Sequence, residues 1–238
     1  MRQVPHYLII GRGRVARHIQ HYFSLLQLSF ESWHREKTIV ELHTKLNRAT
    51  HVLLLISDQA IDDFFVTHLN NREIFSIHFS GSVVSSYSDG AHPLMTFSEH
   101  LYPVSVYQSI PFILDHDAPS FETLLPGIPN QHVRLNTALK AKYHALCVLS
   151  GNFSCLLWQK LFCDFSNELH IPSSIAYPYL KQQMQNLLSH STSVLTGPLV
   201  RGDQETIESN LNALNGDPFQ VVYESFVACY KQLKGDQT

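Results

Sequence analysis

Cysteine is scarce in this sequence, and its scarcity excludes two kinds of structural cross-link. The 238 residues include four cysteines, none spaced as C-x-x-C, and three fall on one predicted helix, where they cannot pair with each other. We therefore expect reduced thiols, and neither a disulfide framework nor a structural zinc site. The fifteen histidines are scattered without persuasive ligand spacing, so we expect no bound metal.

Charged residues are also scarce. They make up 16% of the chain, the formal net charge is −3, and no long basic run occurs. We therefore expect no nucleic-acid partner. The hydrophobic fraction of 44% is typical of a folded protein, and the length allows one large domain or two small ones. The sequence leads directly into a strand without a secretory signal, so we expect a cytoplasmic protein.

An uninterrupted apolar run of membrane-spanning length is missing. Residues 143–161 contain a single charge, Lys160, but polar residues and a glycine interrupt the apolar ones throughout this stretch. A lone membrane span tolerates fewer polar residues than this. We therefore predict a buried central helix and no membrane partner.

The sequence does contain a glycine-rich turn near its start. Residues 11–16 read Gly-Arg-Gly-Arg-Val-Ala, after the apolar run Tyr7–Ile10 and before a helical pattern. A strand, a tight glycine turn and a helix in that order can bind the pyrophosphate of a dinucleotide, because the backbone comes close and unpaired N–H groups face the anion. The alternative is an ordinary strand-to-helix turn that needs two glycines. We assign cofactor binding to five residues of the turn: Gly11, Arg12, Gly13, Arg14 and Val15.

The residues after the second predicted strand indicate which dinucleotide binds. NAD sites usually place a carboxylate there, about 20 residues after the glycines, to hold the ribose hydroxyls. This sequence has His34 and Arg35 instead, and an arginine at that corner can accept a 2′-phosphate. We therefore expect NADP(H) as the cofactor, with His34 and Arg35 among its ligands. The alternative is that Arg35 is an ordinary loop charge.

Strands and helices alternate through the first half of the sequence. Apolar runs at 7–10, 28–33, 51–56 and 74–79 predict buried parallel strands separated by helices. A last strand is expected at 131–135. Four helices should follow, over 137–169, 174–190, 204–214 and 218–234. The predicted fold class is α/β: a doubly wound parallel sheet over residues 1–135, then an all-α domain over 136–238.

Candidate residues for chemistry lie at the carboxyl ends of predicted strands, where ligands bind in open α/β sheets. Ser57, Ser80 and Gly81 are assigned to the cofactor site for this reason. His78 ends a strand, and a following proline presents His92 from an irregular stretch. Each histidine could donate a proton as hydride arrives, or could simply fix its loop by hydrogen bonds.

Three polar residues form a strip on the long predicted helix: Tyr143, His144 and Asn152. Such a strip needs a partner, because burial of unpaired polar groups is unfavourable. That partner could be a substrate, the other domain or a second subunit. We take His144 as a further candidate proton donor, and Tyr143 and Asn152 as candidate substrate ligands.

A loop at residues 196–203 supplies the remaining substrate assignments, Thr196 and Arg201. Arg201 suits a carboxylate or a phosphate, because its guanidinium is always charged and forks toward two oxygens. It could instead pair with Asp203, which is the expected N-cap of the next helix.

Four motifs, in this order, carry a resemblance to a known family: His-Phe-Ser-Gly at 78–81, His-Pro-Leu-Met-Thr-Phe at 92–97, Tyr-His-Ala at 143–145 with Asn152, and Thr-Gly-Pro-Leu-Val-Arg-Gly-Asp at 196–203. The chain resembles uncharacterised bacterial proteins with a Rossmann-like NADP-binding domain and a C-terminal helical domain of unknown function. These are distantly similar to pyrroline-carboxylate reductase, ketopantoate reductase and the β-hydroxyacid dehydrogenases. The resemblance implies a Rossmann-like doubly wound parallel sheet and a helical domain that forms a homodimer.

The chain also departs from those relatives. Many of the dehydrogenases carry a lysine and an asparagine one helical turn apart on the interdomain helix. Neither Lys140 nor Lys142 has an asparagine four residues further on, so the lysine-assisted mechanism does not carry over directly.

Two functions are compatible with these residues. The first is an NADP(H)-dependent oxidoreductase acting on a small polar carbonyl or imine, with one of the three histidines as proton donor and Arg201 orienting the substrate. The second is a non-catalytic NADP(H)-binding sensor or partner module, because no complete known catalytic set is present. A methyltransferase with the same glycine turn is a weaker alternative, since it too would need an acidic residue after the second strand.

Overall fold

The protein is an α/β chain built on a seven-stranded sheet, described by a computed structural model over residues 4–189 and 194–235. The sheet order is β2-β1-β3-β4-β5-β6-β7, for β1 (Tyr7–Ile10), β2 (Phe30–Trp33), β3 (His51–Leu54), β4 (Phe75–His78), β5 (Asp89–Pro93), β6 (Phe112–Asp115) and β7 (His132–Leu135). Neighbouring strands are parallel except for the antiparallel pair β5–β6. The predicted doubly wound, mostly parallel sheet is therefore confirmed.

Helices connect the strands and make up the C-terminal part. The first five are α1 (Arg14–Leu25), α2 (Ile39–Leu46), α3 (Ile61–His68), α4 (Val104–Gln108) and α5 (Phe121–Leu124). After the sheet come α6 (Lys140–Cys147), a π-helical turn (Val148–Phe153), α7 (Ser154–Asn167), α8 (Tyr177–Ser189), α9 (Pro198–Arg201), α10 (Gln204–Ala213) and α11 (Gln220–Gly235). The expected all-α C-terminal part is confirmed.

The chain divides into two compact units, Met1–Leu157 and Trp158–Thr238. The last strand ends at Leu135, which is where the sequence predicted the end of the nucleotide-binding domain. A functional boundary at that residue stays a prediction.

The central strands of the sheet are buried on both faces, and the alternation along β1 shows how. Tyr7 and Ile9 belong to one apolar core with α1, whereas Leu8 and Ile10 belong to a second core with α2 and α3. All four residues are buried, as expected of a central parallel strand covered by helices on both sides. This double cover holds the carboxyl end of β1, and the turn that follows it, in a fixed position.

The strand β5 was not predicted from the sequence. Its residues, Asp-Gly-Ala-His-Pro, are poor strand formers. They pair nonetheless with β4 on one side, where Gly90 lies opposite His78, and with β6 on the other, where His92 lies opposite Ile113. The expectation that His92 lies in an irregular stretch is therefore wrong, because pairing with two neighbouring strands overrides local propensity.

The expectation of a buried central helix is also wrong. Among residues 137–167 only Lys140 is buried, and several large apolar side chains are about half exposed. The polar interruptions do not mark a core helix, because the apolar side chains between them are largely exposed among the described residues. By length and composition alone, the helical run Thr137–Asn167 could cross a membrane, with a mean hydropathy of 1.2 over its most apolar window.

Candidate active site

Gly11 is required by the backbone at the end of β1. Its φ of +130° lies in the region that favours glycine, and a Cβ atom there would collide with the carbonyl oxygen of Leu55. Its N–H donates to the carbonyl oxygen of Trp33 at 2.8 Å, which ties the turn to β2. The backbone conformation and the close carbonyl of Leu55 therefore explain why residue 11 is glycine.

Gly13 is different, because nothing in the described chain requires it to be glycine. Its φ of −66° is available to any residue, and a Cβ atom there would have no neighbour within 4 Å. It is also the N-cap of α1, and no side chain caps that helix. An uncapped helix N-terminus with open space beside its N-cap glycine has the features of an anion-binding site, because its first N–H groups lack a side-chain acceptor and the helix dipole is positive there.

The corner after β2 brings two predicted cofactor ligands close to the glycine turn. His34 is half-buried, and its Nδ1 is buried without a hydrogen-bond partner in the described part of the chain. Arg35 is exposed, and Glu36 forms an ion pair with Arg12 of the turn. Glu36 was not predicted as part of this corner, although it lies one residue beyond His34 and Arg35.

The loop after β4 is held by its own serines. Ser80 Oγ donates to Asp58 Oδ2 at 2.9 Å and accepts from the backbone N–H groups of Ser82 and Val83. Ser57 precedes Asp58 at the start of a short 3₁₀ turn, and its side chain makes no capping bond. The Ser80 hydroxyl thus shapes the turn, and the turn sets the position of Gly81.

His78 is fully buried at the end of β4, and its tautomer follows from its contacts. The backbone N–H of Ser80 donates to His78 Nδ1 at 3.3 Å, so the ring proton lies on Nε2. That Nε2 is buried without a partner in the described residues. Burial, followed by the nearby Lys140 cation, lowers the pKa of His78 to about 4, so the ring is neutral at pH 7.

His92 and His144 meet over Gly81. A Cβ atom on Gly81 would lie 2.6 Å from His144 Nδ1 and 3.2 Å from His92 Nε2, so a larger residue would displace both rings. His92 Nδ1 lies 2.7 Å from the Tyr143 hydroxyl. Burial, then the neighbouring His144 and Lys140, lower the pKa of His92 to about 4. Burial raises the pKa of Tyr143.

Four residues that the sequence analysis named separately therefore form one group: Gly81, His92, Tyr143 and His144. His78 lies beside them, because its electrostatic influence reaches His92. We call these five residues the histidine cluster. The described residues contain no group of three or more metal-ligating side chains in position to hold a metal ion.

Comparison with known proteins identifies the family of the chain. Residues 114–233, from β6 into α11, match the family described as a domain of unknown function, DUF2520. The chain belongs to this family. The resemblance to an uncharacterised family with a nucleotide-binding fold is thereby confirmed, and no protein of curated function matches the sequence.

Solved structures share the fold of this DUF2520 protein over almost its whole length. A proposed NADP oxidoreductase of Bacteroides fragilis is 18% identical, with a TM-score of 0.77 over 96% of this chain and 98% of that one. A protein of Thermotoga maritima is 20% identical, with a TM-score of 0.66 over 97% and 99% of the two chains. A reductive aminase of Aspergillus terreus, solved with NADPH and ethyl levulinate, is 14% identical, with a TM-score of 0.57 over 98% and 92%. At these identities the similarity shows the fold alone.

Two further residues of the DUF2520 protein border the histidine cluster, and the sequence analysis gave them no role. Lys140 begins α6 and is buried, with its Nζ 2.7 Å from Asp115 Oδ1 at the end of β6. One signal was present in the sequence, because Lys140 and His144 are four residues apart and so share a helix face. The contact with Asp115 depends on the sheet and could not be seen in advance.

Three assigned residues remain, Asn152 in the first unit and Thr196 and Arg201 in the second. Asn152 is exposed in the π-helical turn, and Thr196 is exposed in the second unit. Arg201 is exposed and lies 3.7 Å from Asp203 Oδ2. Asp203 accepts from the backbone N–H of Thr206 and caps α10, as predicted. The pairing of Arg201 with Asp203 is one of the two arrangements that the sequence allowed.

Proposed function

We propose that this DUF2520 protein is an NADP(H)-dependent oxidoreductase that acts on a small polar carbonyl or imine. The observation that carries the proposal is the open space over Gly13, at the uncapped N-terminus of α1 and at the carboxyl edge of the sheet. Neither the backbone conformation nor a contact among the described residues requires glycine at position 13. A ligand that approaches the backbone closely would explain it. The NADP- and NAD-dependent reductases that share the fold support this proposal.

The residues present fit such a cofactor. The turn residues Gly11 to Val15 would hold the pyrophosphate through their backbone N–H groups. Ser57, Ser80 and Gly81 lie at the ends of the next two strands and would border the nicotinamide. When bound, the cofactor supplies a hydride.

The preference for NADP(H) over NAD(H) rests on the corner after β2. Arg35 makes no ion pair within the described residues, so its guanidinium is available to a 2′-phosphate. The acidic Glu36 pairs with Arg12, but both side chains are more than half exposed, so the preference rests on Arg35. His34, with its unpaired Nδ1, would contribute a further hydrogen bond.

The proton side of the reaction follows from the neutral state of His78 and His92. His92 would donate a hydrogen bond from Nε2–H to the substrate oxygen or nitrogen, while the Tyr143 hydroxyl donates to Nδ1. In the same step Tyr143 donates its proton to Nδ1 and takes up one proton from bulk solvent, so that the reduction consumes one hydride and one solvent proton. His78 and His144 are the alternative donors. The substrate roles of Tyr143, Asn152, Thr196 and Arg201 stay predictions.

A titration of NADPH fluorescence tests the cofactor site. Gly13→Ala adds one methyl group in open space, so the fold should survive while the affinity for NADPH falls about ten-fold or more, because the Cβ atom stands between the phosphate and the helix N-terminus. Gly151→Ala is the matched control, because a Cβ atom there also has no neighbour within 4 Å. Equal affinities of the two variants would contradict the proposal.

A turnover assay distinguishes the two candidate functions. Oxidation of NADPH is followed with a panel of aldehydes, keto acids and imines. An oxidoreductase consumes NADPH with at least one class of substrate. Binding of NADPH without turnover across the panel would favour the non-catalytic sensor.

We also propose that the protein is a cytoplasmic homodimer, formed through the helical part. Four exposed apolar side chains follow one another along the helix at spacings of three and four residues: Leu146, Leu149, Phe153 and Leu156. This spacing places them on one stripe, as in a helix that packs against a second helix. A second copy of the same chain would cover the stripe.

A further inference from the structure

A buried ion pair lies beside the histidine cluster. Lys140 is 4% exposed, and its Nζ lies 2.7 Å from Asp115 Oδ1. The other carboxylate oxygen of Asp115 accepts from the backbone N–H of Gly90 at 3.0 Å. The pair thus joins the first turn of α6 to two strands of the sheet.

Gly90 makes room for this pair. A Cβ atom on Gly90 would lie 2.5 Å from Asp115 Oδ2 and 2.6 Å from Lys140 Nζ, so any other residue would push the two charges off the strand. Gly90 also lies opposite His78 in the β4–β5 pairing. The ion pair therefore packs over Gly90 of β5, next to the strand that carries the buried ring of His78.

Stability alone does not explain why the pair is buried. Removing two charges from water has a large desolvation cost, which mutual attraction often fails to offset. A buried ion pair is better explained when it holds neighbouring side chains in a fixed arrangement. Tyr143 and His144 follow Lys140 by three and four residues, so the anchor acts on the turn of α6 that carries them.

We propose that Lys140 is a positioning residue of the histidine cluster, which through Asp115 anchors Tyr143 and His144 over Gly81 and keeps a fixed positive charge beside His78 and His92. The inference shares one assumption with the proposed function, namely that the histidine cluster acts on a substrate. Lys140 itself touches neither the hydride nor the reacting atoms in this scheme.

The charges around the two rings set the direction of the effect. The Lys140 cation lowers the pKa of both His78 and His92, whereas Asp115 raises the pKa of His78. His144 also lowers the pKa of His92, and Asp58 raises the pKa of both rings. Asp62 raises that of His78 alone. Lys140 and Asp115 should therefore act with opposite sign on His78.

The test is an NMR titration of the protein labelled at histidine Cε1, without cofactor. Lys140→Met keeps the apolar stem and removes the charge, so the midpoints of His78 and His92 should rise by about one pH unit, toward the ordinary value near 6.5. Asp115→Asn should lower the midpoint of His78. Lys142→Met removes an exposed lysine two residues away and should change neither midpoint.

Two results would overturn the inference. Unchanged midpoints in Lys140→Met would show that its charge does not reach the rings. If both midpoints rose in Lys140→Met and also in Asp115→Asn, the pair would have only a structural role. In that case, loss of either charge would expose both histidine rings to water and raise both pKa values. Should Asp115→Asn not fold, the double variant Lys140→Met/Asp115→Asn leaves no unpaired buried charge, and its His92 midpoint should still rise. NADPH binding is measured separately, so the proposed function can fail while this inference stands.

Discussion

His92 Nδ1 lies 2.7 Å from the hydroxyl of Tyr143, and this contact joins β5 to α6. The Nε2 edge of the His92 ring lies next to Gly81, and the His144 ring packs edge-on at 6.1 Å between ring centroids. A residue from a strand, a residue from a loop and two residues from a helix thus converge on one point at the edge of the sheet.

Tyr143→Phe should lower kcat by about 100-fold or more, because His92 loses its partner at Nδ1 while the ring stays in place. The measurement is steady-state oxidation of NADPH with a substrate from the panel. KM for NADPH should change little. Tyr179→Phe, on an exposed tyrosine of the second unit, is the control, and equal rates for both variants would rule out the relay.

Arg35→Asp should weaken binding of NADPH more than binding of NADH, because only NADPH carries the 2′-phosphate. Dissociation constants for both cofactors, measured by calorimetry, check this. Lys231→Asp changes the net charge equally at an exposed position of α11 and controls for nonspecific electrostatics. A loss of equal size for the two cofactors would show that Arg35 does not select NADP(H).

The free energy of unfolding should fall as the pH is lowered from about 6.5 to 4. His78 has a pKa of about 4 when folded and an ordinary value near 6.5 when unfolded, so the unfolded chain binds more protons in this window. The difference is about 3 kcal/mol for this one buried ring.

Urea unfolding at pH 7 and at pH 4.5 checks the pH effect. His78→Asn removes the titrating group and should make the difference between the two pH values smaller. His170→Asn removes an exposed histidine at a positive φ of 54°, which asparagine tolerates, and should leave the difference as it is in the wild type. If the free energy of unfolding of His78→Asn changed between pH 7 and pH 4.5 as much as that of the wild type, His78 would not be neutral and buried in the folded protein.

Asn130→Ala should lower the free energy of unfolding by about 3 kcal/mol, because three buried hydrogen bonds are lost. Asn130 Oδ1 accepts from the Tyr22 hydroxyl of α1 at 2.6 Å, and its Nδ2 donates to the carbonyl oxygens of Tyr107 and Ile110. Tyr22→Phe removes only the first bond and should have about one third of the effect. Urea denaturation measures both, and a negligible change in Asn130→Ala would show that this junction does not hold α1.

Leu149→Glu should convert a dimer to a monomer, because it places a charge in the middle of the apolar stripe. Light scattering after size exclusion gives the mass, and the chain alone weighs 27.2 kDa. Leu188→Glu changes another exposed leucine, on α8, and should leave the mass unchanged. A wild-type protein that is monomeric at every concentration would exclude the homodimer.

Much of the fold could be predicted from the sequence because its signals are local. The runs of β1 and β3 are almost wholly apolar, and all of their residues are buried, as expected of central parallel strands. The strand β5 could not be predicted, because its residues pair only once β4 and β6 flank them. The exposure of the long helix could not be predicted either, because periodicity does not show what covers an apolar face.

The candidate site was predicted as separate parts. His78 was named from the end of a strand, His92 from the proline that follows it, and His144 from the helix, but their convergence depends on the order of the strands. The buried pair of Lys140 and Asp115 depends on contacts between residues 25 positions apart and on the space above Gly90. Such contacts have no local pattern in the sequence.

The central claim is that the turn at Gly13 binds the pyrophosphate of a nicotinamide dinucleotide. Backbone amide NMR during a titration with NADPH tests it most directly. The account predicts that the largest shifts fall on the amides of Arg14, Val15 and Ala16, at the start of α1. Binding whose largest shifts lie elsewhere, or no binding at millimolar NADPH, would contradict it.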